Sequence, residues 1–279
     1  MKYIVAVSGG VDSAVLLHVL ARHSPLELVV AHFDHGIRDD SDSDVWHVAS
    51  LAKIYDLPFV MARQCLGEGT SEEIARNARY AWLETVRQQY GADGIATAHH
   101  EDDLVETACL NLHRGTGWRG IASLQNTARL YRPLLQTSKA QIVQYALDNR
   151  LHWREDTTND DMRYTRNRIR HQVIPRLSSQ QRQRMVSLAH QQREVRQAIE
   201  KEAAQVLEVL KDTEGYRRYE LVMMPEVVVL ELLRQITHSA CEPAQLRRLL
   251  HFVKTGRSGS VMQVGNGTTA RLTATHVVL

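Results

Sequence analysis

The chain has 279 residues, of which 43% are hydrophobic and 24% charged, and its formal net charge is +2 at pH 7. This composition is typical of a soluble globular protein, and the length predicts one large domain or, more often, two. The cysteines Cys65, Cys109 and Cys241 are isolated and odd in number, which argues against a disulfide framework and a cysteine-based metal or iron–sulfur site. No apolar run approaches membrane-spanning length, and the apolar start runs directly into Ser8 without a signal-peptide pattern, so we expect a cytoplasmic protein with no membrane partner.

Strands and helices alternate in the first half of the chain. Strands are predicted at 3–7, 26–33, 57–61, 94–98 and 130–132, and helices at 11–23, 43–55, 102–113 and 138–149. A further helix is predicted to begin at a capping box from Thr70 to Glu73 and to end at Gly91. This alternation predicts a parallel sheet with helices on both faces.

The character of the sequence changes after Pro175. Residues 180–211 contain no Gly or Pro and are rich in Gln, Arg, Glu and Ala, which predicts one long helix. Helices are also predicted near 227–236 and 243–254, and the Gly-punctuated, β-branched tail at 260–279 predicts strands.

The segment Ser8-Gly9-Gly10-Val11-Asp12-Ser13 lies between the first strand and the first helix. Glycines let the backbone approach an anion, and the helix N-terminus supplies free N–H groups and the positive end of its dipole. The Asp12 carboxylate would suit a divalent cation that bridges it to phosphate oxygens. An ordinary strand–helix turn is the alternative, but a position at the carboxyl end of a strand favours a ligand. The Walker A and GxGxxG patterns are absent.

Polar residues also follow two other predicted strands. Asp34 and His35 come at the end of the second strand, and His99 follows the fourth. Asp103 and Glu106 are three residues apart, so they share one face of the next helix. These residues are candidates for the same sheet edge as the glycine loop, although Asp34 and His35 could merely terminate their strand.

Arginines are concentrated between residues 163 and 196, where Glu194 is the single acid. This distribution fits a polyanion-binding surface, but on charge alone a solvated helix face is an equal alternative. Arg166, Arg168 and Arg170 alternate with other residue types, which predicts an extended segment with the arginines on one face.

The glycine loop matches the SGGxDS motif of the PP-loop ATP pyrophosphatases. The remaining motifs occur in the right order: Asp34-His35-Gly36, the 99–106 segment, Arg114-Gly115-Thr116-Gly117, Arg132-Pro133-Leu134-Leu135 and the arginine run at 166–170. Together they make residues 3–177 closely resemble the bacterial tRNA(Ile)-lysidine synthetase family.

The resemblance implies an α/β fold in three parts. A parallel-sheet PP-loop ATPase domain (adenine nucleotide alpha hydrolase-like) would occupy residues 1–180 and carry the catalytic site. A linker helix would follow at 181–211, and a small α+β domain that contacts tRNA at 212–279. Longer members of the family have a second C-terminal domain, so the chain resembles a minimal form.

The resemblance also implies an activity, the ligation of L-lysine to the wobble cytidine of an isoleucine tRNA with a CAU anticodon. ATP would adenylate the C2 carbonyl oxygen with loss of pyrophosphate, and the lysine ε-amine would then displace AMP. The implied ATP-binding residues are Ser8, Gly9, Gly10, Val11, Asp12, Ser13, Asp34, His35, His99 and Arg114, with Mg²⁺ held by Asp12 through ATP. The implied lysine-binding residues are Asp103 and Glu106, and the catalytic residues are Asp12, Arg79 and Arg166. From the charge of the arginine run itself, we expect the tRNA-binding residues to be Arg168, Arg170, Arg182, Arg193 and Arg196.

Several alternatives stay open at this point. Asp103 and Glu106 could bind the amino groups of lysine, which we favour, or take a proton from the amine. Leu104 replaces the glutamine usual in the family, so a polar contact from this position is in doubt. A tRNA thiolase of the same class is the alternative function, although thiolases generally need paired cysteines. An amide ligase would need an ammonia source, and an ATP-binding RNA adaptor would not explain the carboxylates. A homodimer is left open.

Overall fold

The computed structural model describes residues 1–36, 41–64, 72–122, 124–154, 165–237, 241–265 and 267–279. The chain forms two compact units, Met1–Arg193 and Glu194–Leu279, called the first and second unit below. Each unit has its own hydrophobic core. The predicted capping residue Thr70 lies outside the described residues, and the division into 1–180, 181–211 and 212–279 stays a prediction.

The described strands of the first unit form one parallel sheet in the order β3-β2-β1-β4-β5. The strands are β1 (Lys2–Ala6), β2 (Glu27–Asp34), β3 (Phe59–Arg63), β4 (Gly94–Ala96) and β5 (Leu130–Tyr131). Since β1 continues to β2 on one side while β4 lies on the other, the strand order reverses between β1 and β4. Ligands of open α/β sheets bind outside the carboxyl ends of strands at such a reversal.

Helices cover both faces of this sheet, as predicted. They are α1 (Val11–His23), α2 (Ser41–Ile54), α3 (Glu72–Gln89), α4 (Glu101–His113), α5 (Gly117–Ile121) and α6 (Lys139–Asp148). Successive strand residues point to opposite faces, so Val5 packs in one cluster with Leu17, Val48 and Ile142, whereas Ile4 packs in another with Leu83. The predicted α/β class is confirmed.

The segment after residue 164 is helical, so the predicted extended conformation is wrong. It consists of α7 (Thr165–Arg168), a π-helical segment (Ile169–Val173) and a 3-10 turn (Ile174–Arg176). Ile169 and Ile174 are buried against Val105 of α4. Helical spacing permits this packing while Arg166 and Arg170, four residues apart, reach the same side.

The second unit combines helices with an antiparallel sheet. Helix α8 (Ser179–Leu210) begins in the first unit and ends in the second, which also contains α9 (Arg218–Met223), α10 (Glu226–Ile236) and α11 (Pro243–Thr255). Its described strands, in the order β6-β7-β10-β9-β8, are β6 (Lys211–Asp212), β7 (Gly215–Arg217), β8 (Val261–Gly265), β9 (Thr268–Leu272) and β10 (His276–Val278). Leu221, Leu232, Leu249 and Leu272 are fully buried in its core. The hairpin of β6 and β7 was not predicted.

Among the described residues, no helix combines the length and the apolar character needed to cross a membrane.

Candidate functional site

The loop between β1 and α1 is shaped by its own residues. Gly9 has a φ of +98°, a conformation that side chains with a Cβ rarely adopt. The Ser13 hydroxyl accepts from the backbone N–H groups of Ser8 and Gly9, both at 3.2 Å, and donates to the Gly10 carbonyl at 2.9 Å. No side chain among the described residues caps α1 at Gly10. The first turn of α1 therefore keeps N–H groups for an anion, as a phosphate cradle requires.

The carboxylate of Asp12 in α1 forms an ion pair with a lysine of α6. Lys139 Nζ donates to Asp12 Oδ1 at 2.6 Å. Lys139 is the first residue of α6, whose capping box at Ser138 and Gln141 confirms the predicted helix start. A cation at a helix N-terminus is unfavourable because it lies at the positive end of the helix dipole. This position could have indicated a special role for Lys139, which was not predicted.

His100 joins the glycine loop to the carboxylates of α4. Its Nε2 is 3.8 Å from Asp12 Oδ1 and 3.7 Å from Asp103 Oδ2. Its backbone N–H donates to Asp103 Oδ2 at 2.9 Å, and its Nδ1 accepts from the Asp102 N–H, which completes a capping box at the start of α4. The glycine loop and the Asp103 carboxylate are therefore parts of one site, although no role was predicted for His100.

Asp103 and Glu106 are bound by two arginines from the segment after residue 164. Arg166 bridges the pair, with its Nε 3.0 Å from Glu106 Oε2 and its terminal nitrogen 3.0 Å from Asp103 Oδ1. Arg170 donates to both oxygens of Glu106, at 2.6 Å and 3.0 Å. The Glu106 side chain is 2% exposed and that of Asp103 10%. Asp103, Glu106, Arg166 and Arg170 are called the four-residue cluster below.

The carboxylates and guanidinium groups of the cluster stabilise one another in their charged forms. Burial by itself would raise the pKa of Asp103, but His100, His99, Arg166 and the His100 N–H outweigh it, so that the pKa lies below its usual value. Burial would lower the pKa of Arg170, yet its hydrogen bonds to Glu106 raise it. Both groups are therefore charged at neutral pH.

His99 is half-buried beside Arg132, the first residue after β5. The His99 Nδ1 lies 2.8 Å from the Thr97 hydroxyl and accepts from Arg132 Nε at 3.4 Å. Since a guanidinium only donates, the proton of the neutral ring is on Nε2. Burial is the main cause that lowers the pKa of His99 to about 3, and Arg132 and Arg76 contribute. Arg132 and Arg76 were not among the predicted site residues, although the end of a strand is a position where Arg132 could have been found.

We expect the neutral state of His99 to make the protein less stable in acid. Between pH 6.5 and about 3 the unfolded state binds a proton at His99 that the folded state does not, so the free energy of unfolding falls as pH falls. One proton contributes about 1.4 kcal/mol per pH unit inside this window. Urea unfolding at pH 7 and pH 5 should show a smaller loss of stability for His99→Gln than for wild type, and equal losses would contradict the expectation.

Asp34 and His35 lie at the end of β2 with different surroundings. Asp34 accepts from Arg63 Nε at 2.6 Å and from the Gly36 N–H at 2.8 Å. The His35 Nδ1 is buried and has no hydrogen-bond partner among the described residues. Burial lowers the pKa of His35, and so does the charge of Arg79 on α3, whose guanidinium lies 5.5 Å from the Tyr80 ring centre. The structure thus places Arg79 near His35, while the predicted nucleotide and catalytic roles stay predictions.

The other predicted residues lie farther from the loop or in local pairs. Arg114 is exposed and caps the C-terminal end of α4, about 16 Å along the helix from Asp103 at 1.5 Å per residue. Arg168 is exposed and donates to the Thr165 hydroxyl. Three arginines of α8 contact neighbouring groups: Arg182 donates to the Ile174 carbonyl, Arg193 contacts the His190 ring, and Arg196 donates to Glu200. Their phosphate- and tRNA-binding roles stay predictions.

The described donor set suits a magnesium ion that is shared with phosphate. No group of three or more His, Cys, Asp or Glu side chains in the described residues can hold a metal by itself. The Oδ1 atom of Asp12 accepts a hydrogen bond from Lys139, and its Oδ2 atom accepts none from the described residues. Mg²⁺ is commonly bound by one or two carboxylates plus substrate phosphates, so a single carboxylate beside a phosphate cradle fits it.

Curated relatives confirm the resemblance to lysidine synthetases. A tRNA(Ile)-lysidine synthase of Thermotoga maritima is 38% identical over 182 residues, which are 62% of this chain and 44% of that protein. The one of Solibacter usitatus is 36% identical over 190 residues, which are 67% of this chain and 43% of that protein. The match thus spans less than half the length of these relatives.

A solved structure and a family match agree on the fold. The U34-tRNA thiolase of Methanococcus maripaludis, with its 4Fe-4S cluster, superposes with a TM-score of 0.60 at 15% identity, over 70% of this chain and 72% of that chain. At this identity the likeness shows the fold alone. Residues 1–177, which hold the loop, the carboxylates and both arginines of the cluster, match the PP-loop domain family, and the chain therefore belongs to that family.

Proposed function

We propose that the chain ligates L-lysine to C2 of the wobble cytidine in an isoleucine tRNA with a CAU anticodon, using ATP. The observation that carries this proposal is the position of His100, which lies within 4 Å of both Asp12 in the phosphate cradle and Asp103 in the carboxylate pair. This proximity supports a site for an activated phosphate ester that would adjoin a site for a cation. The names of the curated relatives support this choice of substrates.

The first half-reaction is adenylation of the cytosine. The C2 carbonyl oxygen attacks the α-phosphorus of ATP, the bond to the β-phosphate breaks, and pyrophosphate leaves. The N–H groups of the first turn of α1 would hold the phosphates, because those of Ser8 and Gly9 already donate to the Ser13 hydroxyl. Asp12 would hold Mg²⁺ through Oδ2, and the ion supplies charge neutralisation at the phosphates. Lys139 keeps Asp12 in place through the 2.6 Å ion pair.

The second half-reaction forms the carbon–nitrogen bond. The ε-amine of lysine attacks C2, the bond from C2 to the adenylated oxygen breaks, and AMP leaves with that oxygen. Asp103 and Glu106 would bind the amino groups of lysine and orient the ε-nitrogen toward C2. The ε-ammonium must lose one proton before it attacks and a second one as AMP leaves; the first would pass to solvent and the second to the phosphate of the departing AMP.

The wobble base would reach this site from a loop in which it is already unpaired, so its extrusion costs little. Arg168, Arg170 and the arginines of α8 would hold the phosphates around it. A cytoplasmic location and a homodimer stay predictions. Within the described ranges, no site observation favours the thiolase alternative: the fold likeness does not extend to function, and the cysteines are far apart in sequence.

The proposed function is tested by pyrophosphate release. Full-length protein is incubated with ATP, Mg²⁺ and the CAU isoleucine tRNA, and each free amino acid is added in turn. We expect pyrophosphate release that depends on this tRNA and AMP release that depends on lysine, with a CAU methionine tRNA as the control. Product formation with a sulfur donor, or no dependence on lysine, would contradict the proposal.

We expect Arg168 to contribute to tRNA binding through charge. Each neutralised phosphate releases counterions, so Arg168→Ala should reduce the salt dependence of log K by about one unit and weaken the isoleucine and methionine tRNAs alike. Filter binding across a salt series measures this slope, and Arg168→Lys is the control that keeps the charge. An unchanged slope for Arg168→Ala would show that this arginine is part of a solvated surface.

A further inference from the structure

Every carboxylate oxygen of the four-residue cluster already accepts a hydrogen bond. Asp103 Oδ1 accepts from Arg166, and Oδ2 accepts from the His100 N–H. Glu106 Oε1 accepts from Arg170, and Oε2 accepts from both arginines. A ligand ammonium can therefore approach either carboxylate only by sharing or displacing a donor that is already there.

The charge balance of the cluster makes sharing unfavourable. Two buried carboxylates face two guanidinium groups, so their formal charges cancel. A lysine ammonium placed beside Asp103 and Glu106 would leave an excess positive charge in a site shielded from water, next to two guanidinium groups of the same sign. Uncompensated buried charge is strongly destabilising. Departure of one guanidinium when the ammonium enters would restore the charge balance.

Of the two arginines, Arg170 is the one better placed to move away from the carboxylates. Its side chain is 34% exposed, against 17% for Arg166. Arg166 makes 3.0 Å bonds to both carboxylates, whereas Arg170 is bonded to Glu106 and lies 3.9 Å from Asp103. Arg170 also belongs to the π-helical segment Ile169–Val173, and such turns are frequent at functional sites.

We propose that Arg170 is a movable counter-ion that makes lysine binding depend on RNA binding. When a phosphate of the RNA takes the Arg170 guanidinium, Glu106 is released to bind the ammonium of lysine. Without RNA, Arg170 stays on Glu106 and opposes lysine. This inference rests on the proposed function, and it makes Arg170 a positioning residue that acts through Glu106. Binding of lysine and of RNA is then positively coupled, and the coupling is reciprocal.

The test measures lysine affinity without ATP. Equilibrium dialysis of L-lysine is performed on the full chain with and without a saturating amount of the CAU isoleucine tRNA. We expect the tRNA to tighten lysine binding to wild type about tenfold or more, within the usual range of about 5–150-fold for such coupling. Arg170→Gln should bind lysine without tRNA about as tightly as wild type does with it, and tRNA should then change this affinity little. Arg184→Gln, an exposed arginine of the same unit, should retain the coupling of wild type.

A second measurement needs no variant. Saturating lysine should tighten tRNA binding to wild type by the same factor as tRNA tightens lysine binding. The inference is overturned if neither ligand affects the other, or if Arg170→Gln binds lysine no better than wild type and still responds to tRNA. Lysine-dependent AMP release with no coupling would overturn this inference and leave the proposed function intact. No lysine binding under any condition, together with no AMP release, would overturn both.

Discussion

Asp12→Asn is expected to reduce tRNA-dependent pyrophosphate release by about 100-fold or more, the effect typical of losing one electrostatic group at a reacting centre. Asparagine has nearly the same shape, but it cannot balance the charge of Lys139 or hold Mg²⁺ through an anionic oxygen. The measurement is pyrophosphate release at saturating ATP and tRNA.

The fold should tolerate this change. The Asp12 side chain is 30% exposed and that of Lys139 41%, and ion pairs with such exposure contribute about 1 kcal/mol or less to stability. The melting temperature should therefore change little. Asp148→Asn is a matched control, because Asp148 is an exposed acid at the end of α6. Near-normal pyrophosphate release from Asp12→Asn would show that the carboxylate does not organise the phosphates.

Glu106→Gln is expected to raise the apparent KM for lysine by about 10-fold or more while the KM for ATP stays near its wild-type value, because truncating one partner of a buried charge pair costs about 2–5 kcal/mol. Asp103→Asn should act in the same direction. The measurement is AMP release as a function of lysine and, separately, of ATP.

The same substitution should also lower stability. Removing one partner of a buried ion pair costs about 3–5 kcal/mol because it leaves the other charge uncompensated, here the guanidinium groups of Arg166 and Arg170. Assays well below the melting temperature of the variant separate this effect from lysine binding. Glu101→Gln is the control, since Glu101 is a half-buried acid in the first turn of the same helix. Equal losses of ATP and lysine affinity in Glu106→Gln would assign Glu106 to the nucleotide pocket instead.

The features of the first unit that can be read along the sequence depend on neighbouring residues. The Ser13 hydroxyl binds backbone groups of Ser8, Gly9 and Gly10, all within five positions of the chain. The capping box of α6 spans Ser138 to Gln141. The alternation of strands and helices likewise sets the parallel sheet and places strand ends on one edge. Such features follow from local spacing and backbone geometry, so they can be read along one stretch of sequence.

The partners of the site's charges were decided by the tertiary structure. Lys139 is 127 residues from Asp12, and Arg166 and Arg170 are 60 and 64 residues from Glu106. Their meeting depends on which strands are neighbours and on how the helix after residue 164 packs against α4 through Ile169 and Val105. The sequence showed an alternating arginine run and suggested an extended RNA-facing strip. In an extended segment Ile169 and Ile174, five residues apart, would face opposite sides. The helical path instead buries both beside Val105, turns Arg166 and Arg170 onto the carboxylates and leaves Arg168 exposed.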